Sequence, residues 1–404
     1  MSGSMHHIYL DHNATTPLLA EVAEAMARCQ TQGPANPASQ HWAGRRARQA
    51  LEDAREGVGR LLGADLASAH ADRVIFTSGG TEANNLALFS LAVGPPAHLV
   101  ISAIEHPSVA GPAAWLERQG WRVARLGASC DGQVLADELP SLLQADTRAV
   151  SVMLGNNETG VLQPIERASA ICAGAGVPVH TDAAQVAGKL PLDFRELGVS
   201  AMTISAHKFH GPVGIGALLV RRDVELQPLL HGGFQQGGLR PGTEGVALAV
   251  GMHAALAAWQ RDAVGYAPRL RALRDEFERE LLAARPELVV NGAGAGRLPH
   301  TSNVAFTGVD GQAMAMALDL AGVACSTGSA CASGSSEPSP TLVAMGLAKE
   351  RYEASVRFSF GRDTTPADVA EAVRRILQVY NDLRLKNSSR KNARMGRKDG
   401  GHSV

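Results

Sequence analysis

Short runs of Val, Ile and Leu alternate with amphipathic stretches rich in Ala, Leu and Glu through the first two thirds of the chain. The apolar runs predict strands at Arg73–Thr77, Leu99–Ser102, Trp121–Arg125, Ala149–Leu154, Val177–Thr181, Met202–Ser205 and Gly216–Val220. Between them the spacing predicts helices over Glu82–Leu91, Val109–Gln119, Ala136–Gln144 and Ile165–Ala175. Strand and helix in alternation imply an α/β fold whose mostly parallel sheet is covered on both faces. From about residue 244 the pattern turns helical, over Glu244–Gln260 and Arg269–Ala284. A smaller α+β region follows, with strands near Leu288–Asn291, Ser302–Ala305 and Ser355–Ser359 and helices over Gln312–Leu320 and Ala367–Leu385. The reading divides the chain into a large domain over 15–260, a small domain made of 1–14 and 261–385, and a tail over 386–404.

Composition narrows the class. At 404 residues the chain exceeds the size at which one core usually keeps growing, so two domains are expected. Hydrophobic residues at 45% and charged residues at 19% are those of a globular enzyme, and a net charge of −1 points to neither nucleic acid nor a membrane surface as main partner. The charge is unevenly spread: residues 386–404 carry six Lys/Arg against Asp399, a net +5, which leaves −6 for the body. That tail is rich in Ser, Asn and Gly and is expected to be disordered. Five cysteines at irregular spacing, without a Cys-x-x-Cys pair, argue against a disulfide framework and against a thiolate metal site. No apolar run of about 18 residues exists to span a membrane. With no signal-peptide pattern at the start, the cytoplasm is the expected location.

Ligands of parallel sheets bind beyond the carboxyl ends of the strands. Thr81, His106, Asn157, Asp182, Gln185 and Lys208 all follow predicted strands. An amine (Lys208) and a carboxylate (Asp182) at the exits of two successive strands suit pyridoxal 5'-phosphate chemistry. The amine forms the Schiff base, and the acid keeps the pyridinium nitrogen protonated so that the ring accepts carbanion charge. Ser78-Gly79-Gly80-Thr81-Glu82 opens a helix after a strand, either as a phosphate cradle or as a tight turn capped by Thr81. Ser205, His207 and Thr243 are further candidate phosphate donors. His106 either stacks on a flat ring and moves protons or caps a helix. Asn157 and Gln185 either bond a phenolic oxygen or serve a turn. Arg357, alternating with apolar neighbours, either clamps a carboxylate or makes a strand-face ion pair. The Gly/Ser-rich stretch Cys325–Pro338 carries two thiols. Cys331, inside it, suits a nucleophile better than Cys325, which ends a strand.

Together these motifs resemble the cysteine desulfurases of the class V aminotransferase fold, the NifS/IscS-like group. The resemblance runs from Tyr9-Leu10-Asp11-His12-Asn13-Ala14-Thr15-Thr16-Pro17 through Asn36-Pro37-Ala38-Ser39, Gly79-Gly80-Thr81-Glu82, Glu105-His106 and Asn156-Asn157-Glu158. It continues through Asp182-Ala183-Ala184-Gln185, His207-Lys208, Gly211-Pro212 and Gly328-Ser329-Ala330-Cys331 to Arg357-Phe358-Ser359-Phe360-Gly361-Arg362. It implies a pyridoxal-phosphate-dependent transferase of fold type I. Lys208 would be the Schiff-base lysine, Asp182 the pyridinium partner and His106 the ring-stacking acid/base. Gly80, Thr81, Ser205 and His207 would hold the phosphate, with Thr243 reaching it from the second subunit of a homodimer. Asn157 and Gln185 would contact the phenolic oxygen, and Arg357 the substrate carboxylate. Cys331 would take the sulfur of L-cysteine as a persulfide, release L-alanine and pass the sulfur to a protein acceptor such as an iron–sulfur scaffold. No metal, membrane or direct nucleic-acid partner is implied. Rival readings are a selenocysteine lyase, another class V enzyme on the same cofactor, or a non-catalytic sulfur-delivery scaffold. His12, Val213 and the basic tail depart from the shared pattern, and the tail leaves the acceptor open.

Overall fold

The computed structural model describes residues 6–33, 36–68, 71–328 and 338–398, with side chains through Asn387. Seven strands form one sheet in the spatial order Arg73–Thr77, Gly216–Val220, Ala201–Ser205, Val179–Asp182, Thr147–Ser151, His98–Ser102, Arg122–Leu126. Only Gly216–Val220 runs against its neighbours. The other six strands therefore deliver their carboxyl ends to one edge. Their interior positions are almost all buried, because helices cover both faces and a doubly covered sheet takes continuous apolar runs.

Four helices escape the sequence reading, two of them the short Pro340–Ala344 and Lys349–Tyr352 and two of them longer. Ala20–Thr31 buries Val22, and Trp42–Leu61 buries mainly small residues, among them Ala43, Gly44, Ala47, Ala54 and Gly57. Small side chains give a weak apolar period, though they let helices pack closely. The helix expected over Ala136–Gln144 is a 3-10 turn, Ala136–Glu138, followed by Leu139–Leu142.

The two helices expected around 244–284 are one, Val246–Ala284, with Pro268 inside. Its first half buries Val246, Ala249, Met252, Ala255 and Leu256 in the core beneath the large sheet. Its second half buries Trp259, Tyr266, Leu270, Leu273, Phe277 and Leu281 in a second core. Burial on both sides of the proline carries the helix through a residue that would break it in isolation. The second core is closed by a three-stranded antiparallel sheet, Ser355–Ser359, Thr301–Ala305 and Val289–Val290. A two-stranded parallel pair, Ile8–Tyr9 with Val323–Ala324, lies beside it.

The last helix, Pro366–Lys398, runs into the stretch that the sequence reading assigns to a tail. It docks through Val369, Ala372, Val373, Ile376 and Tyr380. Once nucleated by that packing, helix propagates at little cost into Lys, Arg and Asn. Residues 399–404 lie outside the described residues. No described helix is long and apolar enough to cross a membrane. All four described cysteines are free.

Candidate active site

A cavity of about 320 Å³ opens at the carboxyl edge of the large sheet. Gly80, Thr81, His106, Asn157, Asp182, Gln185, Ser205, His207, Lys208 and Arg357 all line it. Thr243 does not; it lines a separate cavity with Ser78, Arg240 and Glu244. Cys331 lies outside the described residues, but Gly328, three positions before it, lines the main cavity.

Each side chain is placed by the way its strand ends. Val179–Asp182 delivers a buried carboxylate that accepts from Asn84 Nδ2 at 2.7 Å and from the Ala184 N–H at 2.9 Å. After Ala201–Ser205 a single 3-10 turn, Ala206–Lys208, throws Lys208 into the cavity. His210 then takes φ 65°, a left-handed conformation costing about 1–2 kcal/mol for a residue with a Cβ. It is held there by its N–H to Thr16 Oγ1 at 2.6 Å and by a ring contact to the Pro17 carbonyl at 2.9 Å.

The segment from Asp11 to Thr16 crosses the site as a strap. The Asn13 and Ala14 carbonyls accept from Lys208 Nζ at 2.6 and 2.9 Å. Asn13 Nδ2 donates to the Asn157 carbonyl and to Thr301 Oγ1, and Gln185 Nε2 donates to the Asn13 carbonyl. Sequence reasoning assigned Asn13 no role; only its place inside a polar run hinted at one.

The helix Gly80–Leu91 begins directly after the first sheet strand, with Gly79 as its N-cap and Glu82 in its first turn bonding back to the Ser78 N–H at 2.7 Å. Thr81 therefore sits inside the first turn and is not the cap. A Cβ on Gly216 would lie 2.4 Å from the Gly79 carbonyl carbon, so two backbones meet at the base of this turn. The first-turn N–H groups point outward as an anion site.

The electrostatics favour anions. Burial, with Lys208 and Lys189 nearby, pushes His207 down to about 4, so its ring is neutral. Lys189, fully buried, is held well below the ordinary lysine range by burial, Lys208 and Arg357, and donates to Gln185 Oε1 at 3.2 Å. Arg357 pairs with Asp11 at 2.7 Å and donates to the Asn157 carbonyl at 2.9 Å. Its buried Nε has no partner among the described residues. Both readings of Arg357 thus meet in one side chain: an ion pair fixes it, and a donor is left over for an anionic ligand. Cys325 is pushed up to about 12 by burial and by Asp11, so it stays a thiol.

Residues 8–371 match the family model of class-V aminotransferases. The chain is 40% identical over 380 residues to the cysteine desulfurase IscS of Dictyoglomus turgidum, covering 93% of this chain and 95% of the relative. The chain belongs to the class-V aminotransferase family, in its cysteine desulfurase branch. An IscS-like cysteine desulfurase of Mycobacterium tuberculosis is 43% identical over 376 residues, covering 90% of this chain and 94% of that one. The NifS-like protein from Rickettsia africae superposes with a TM-score of 0.84 over 93% of this chain and 100% of its own, at 29% identity.

Desulfurases of this family depend on pyridoxal phosphate, and the residues present fit that group. The cavity falls in the usual range of about 300–1,000 Å³ for small-molecule sites. A glycine-built helix start offers N–H groups to a phosphate, and a neutral His207 adds a ring nitrogen. A buried carboxylate stands ready for a ring nitrogen, and Asn84 Oδ1 is buried without a partner among the described residues. Asn84 and Ser108 are the other polar side chains of the cavity lining that the sequence reading missed. Asn84 had one available signal, its place three residues after Thr81 on the same helix face.

Proposed function

We propose that this protein is a cysteine desulfurase in which Cys331 receives the sulfur of L-cysteine as a persulfide and L-alanine leaves. The observation that carries the reading is the convergence of Lys208, Asp182, His106 and Arg357 on one cavity whose rim, at Gly328, leads to Cys331. Three extended residues span about 10 Å, so a thiol at 331 is tethered within reach of that cavity. Tethering supplies a high effective concentration of nucleophile.

Pyridoxal phosphate, when bound, supplies an aldehyde for an amine and a ring that withdraws electrons from the substrate α-carbon. The rest falls to side chains. Lys208 provides the amine. Asp182, fixed by Asn84 and the Ala184 N–H, would hold a proton at the ring nitrogen. Gly80, Thr81, Ser205 and His207 would bind the phosphate, Asn157 and Gln185 would address the phenolic oxygen, and His106 would cover the ring. Arg357 binds the substrate carboxylate. The Cys331 thiolate forms the new S–S bond as the substrate C–S bond breaks, so cysteine plus thiol gives alanine plus persulfide. Burial keeps Cys325 protonated, which leaves this role to Cys331.

Thr243 belongs, on this reading, to the phosphate site of a second copy in a homodimer. A protein acceptor such as an iron–sulfur scaffold would take the sulfur onward, in the cytoplasm. The test is direct: Cys331→Ala should keep the yellow cofactor and bind cysteine yet release no sulfide or alanine under turnover. Undiminished release would remove Cys331 from its role. Lys208→Ala should lose the visible absorption of the cofactor–lysine adduct.

A further inference from the structure

Four cavity residues are joined by a directed chain of hydrogen bonds. Asn84 Nδ2 donates to Asp182 Oδ2 at 2.7 Å and to Ser108 Oγ at 2.8 Å. Ser108 Oγ lies 2.7 Å from His106 Nδ1, and the Ser108 backbone N–H donates to the same nitrogen at 3.1 Å. A carboxylate only accepts, so the amide group facing Asp182 must be the NH₂. That group then spends its second hydrogen on Ser108, whose oxygen accepts it. The Ser108 hydroxyl proton is left to point at His106 Nδ1.

Two donors therefore converge on one ring nitrogen, and that nitrogen must be unprotonated. We infer that Asn84 and Ser108 are positioning residues that hold His106 as a neutral ring with its single proton on Nε2, so that His106 serves the reaction as a hydrogen-bond donor and not as a base. The inference rests on the desulfurase reading of this site and deepens it. A second proton could enter only at Nδ1, where it would face a main-chain N–H that cannot turn away. Proton abstraction then falls to another group, and the Lys208 amine is the one in the cavity suited to it. The surroundings act in the same direction. Burial opposes a charged ring, as do Lys208 and Arg357; among the described residues the Asp182 carboxylate favours it, and the outcome is a lowered pKa.

The test uses the full chain loaded with pyridoxal phosphate and labelled with ¹⁵N-histidine, the His106 signals being assigned by their loss in His106→Gln. The expected spectrum shows one pyridine-like and one pyrrole-like nitrogen, with Nε2 as the pyrrole type, unchanged between pH 8 and pH 6. Ser108→Ala keeps the backbone donor but removes the hydroxyl, and should raise the His106 midpoint by about one pH unit, the scale of one hydrogen bond. Ser108→Thr should restore the wild-type pattern. Two pyrrole-like nitrogens at neutral pH, a bare Nε2, or a Ser108→Ala titration that coincides with wild type down to the lowest pH at which both stay folded would each overturn the inference. Alanine release measured on the same samples separates the two ideas. Its absence in wild type would sink the desulfurase reading while leaving the tautomer result standing.

Discussion

Arg357 shows how one side chain can be both structural and chemical. Its guanidinium is buried, paired with Asp11 and bonded to the Asn157 carbonyl, and its Nε has no partner among the described residues. A lysine cannot reproduce that fork. Arg357→Lys is expected to raise the KM for cysteine tenfold or more while kcat falls less, about 1.4 kcal/mol or more of lost binding; steady-state kinetics at saturating cofactor measure this. Glu105 is a buried titratable residue of another kind. It lies fully buried, its Oε1 accepts from Ser102 Oγ at 2.6 Å and the Met153 N–H at 2.8 Å, and Oε2 has no partner among the described residues. Burial raises its pKa to about 8, so the folded protein holds a proton there that the unfolded chain releases above about 4.5. The folded state then binds more protons, and stability falls as pH rises from about 4.5 to about 8. Glu105→Gln should remove that dependence, gaining on wild type by a few kcal/mol at pH 8 but not at pH 4.5, as read from denaturant unfolding across that range. The residue types at these positions were plain in the sequence. Their partners were not, because Asp11 and Arg357 are 346 positions apart.

Elements were legible where their apolar signal was strong. All seven strands of the large sheet were anticipated to within a few residues, because most of them are doubly covered and carry short runs of Val, Ile and Leu. The helix Trp42–Leu61 was not, because its buried face is largely Ala and Gly. The long helix Val246–Ala284 was read as two, since Gly265 and Pro268 look like a break when nothing packs on either side. The turn before Gly80 is the element on which the proposed phosphate site is built. Gly216 on the neighbouring strand touches its backbone, and a methyl group there must push the Gly79 main chain aside. Gly216→Ala should cost about 1–3 kcal/mol of stability through overpacking. It should also weaken pyridoxal phosphate retention; the loss is measured as the visible-to-ultraviolet absorbance ratio after dialysis.

At the scale of the whole molecule, two hydrophobic cores are joined by one helix, and the cavity takes Lys208 and Asp182 from the sheet of one and Arg357 from a strand of the other. Deleting residues 388–404 removes a net +4 and leaves the protein at −5. Alanine release from free cysteine should stay within about twofold of wild type, since steering by charge acts on partners and not on a small zwitterion; a coupled alanine assay checks this.

The sequence by itself determined the alternation of strand and helix, the edge at which ligands bind and the residue types of the site, because periodicity and strand-end chemistry are local properties. Only the tertiary structure decided which atoms meet: the Asn13–Ala14 carbonyls on Lys208, Asp11 on Arg357, and the path from Asp182 through Asn84 and Ser108 to His106. Those contacts join segments tens to hundreds of residues apart, and their geometry exists only once both cores have packed.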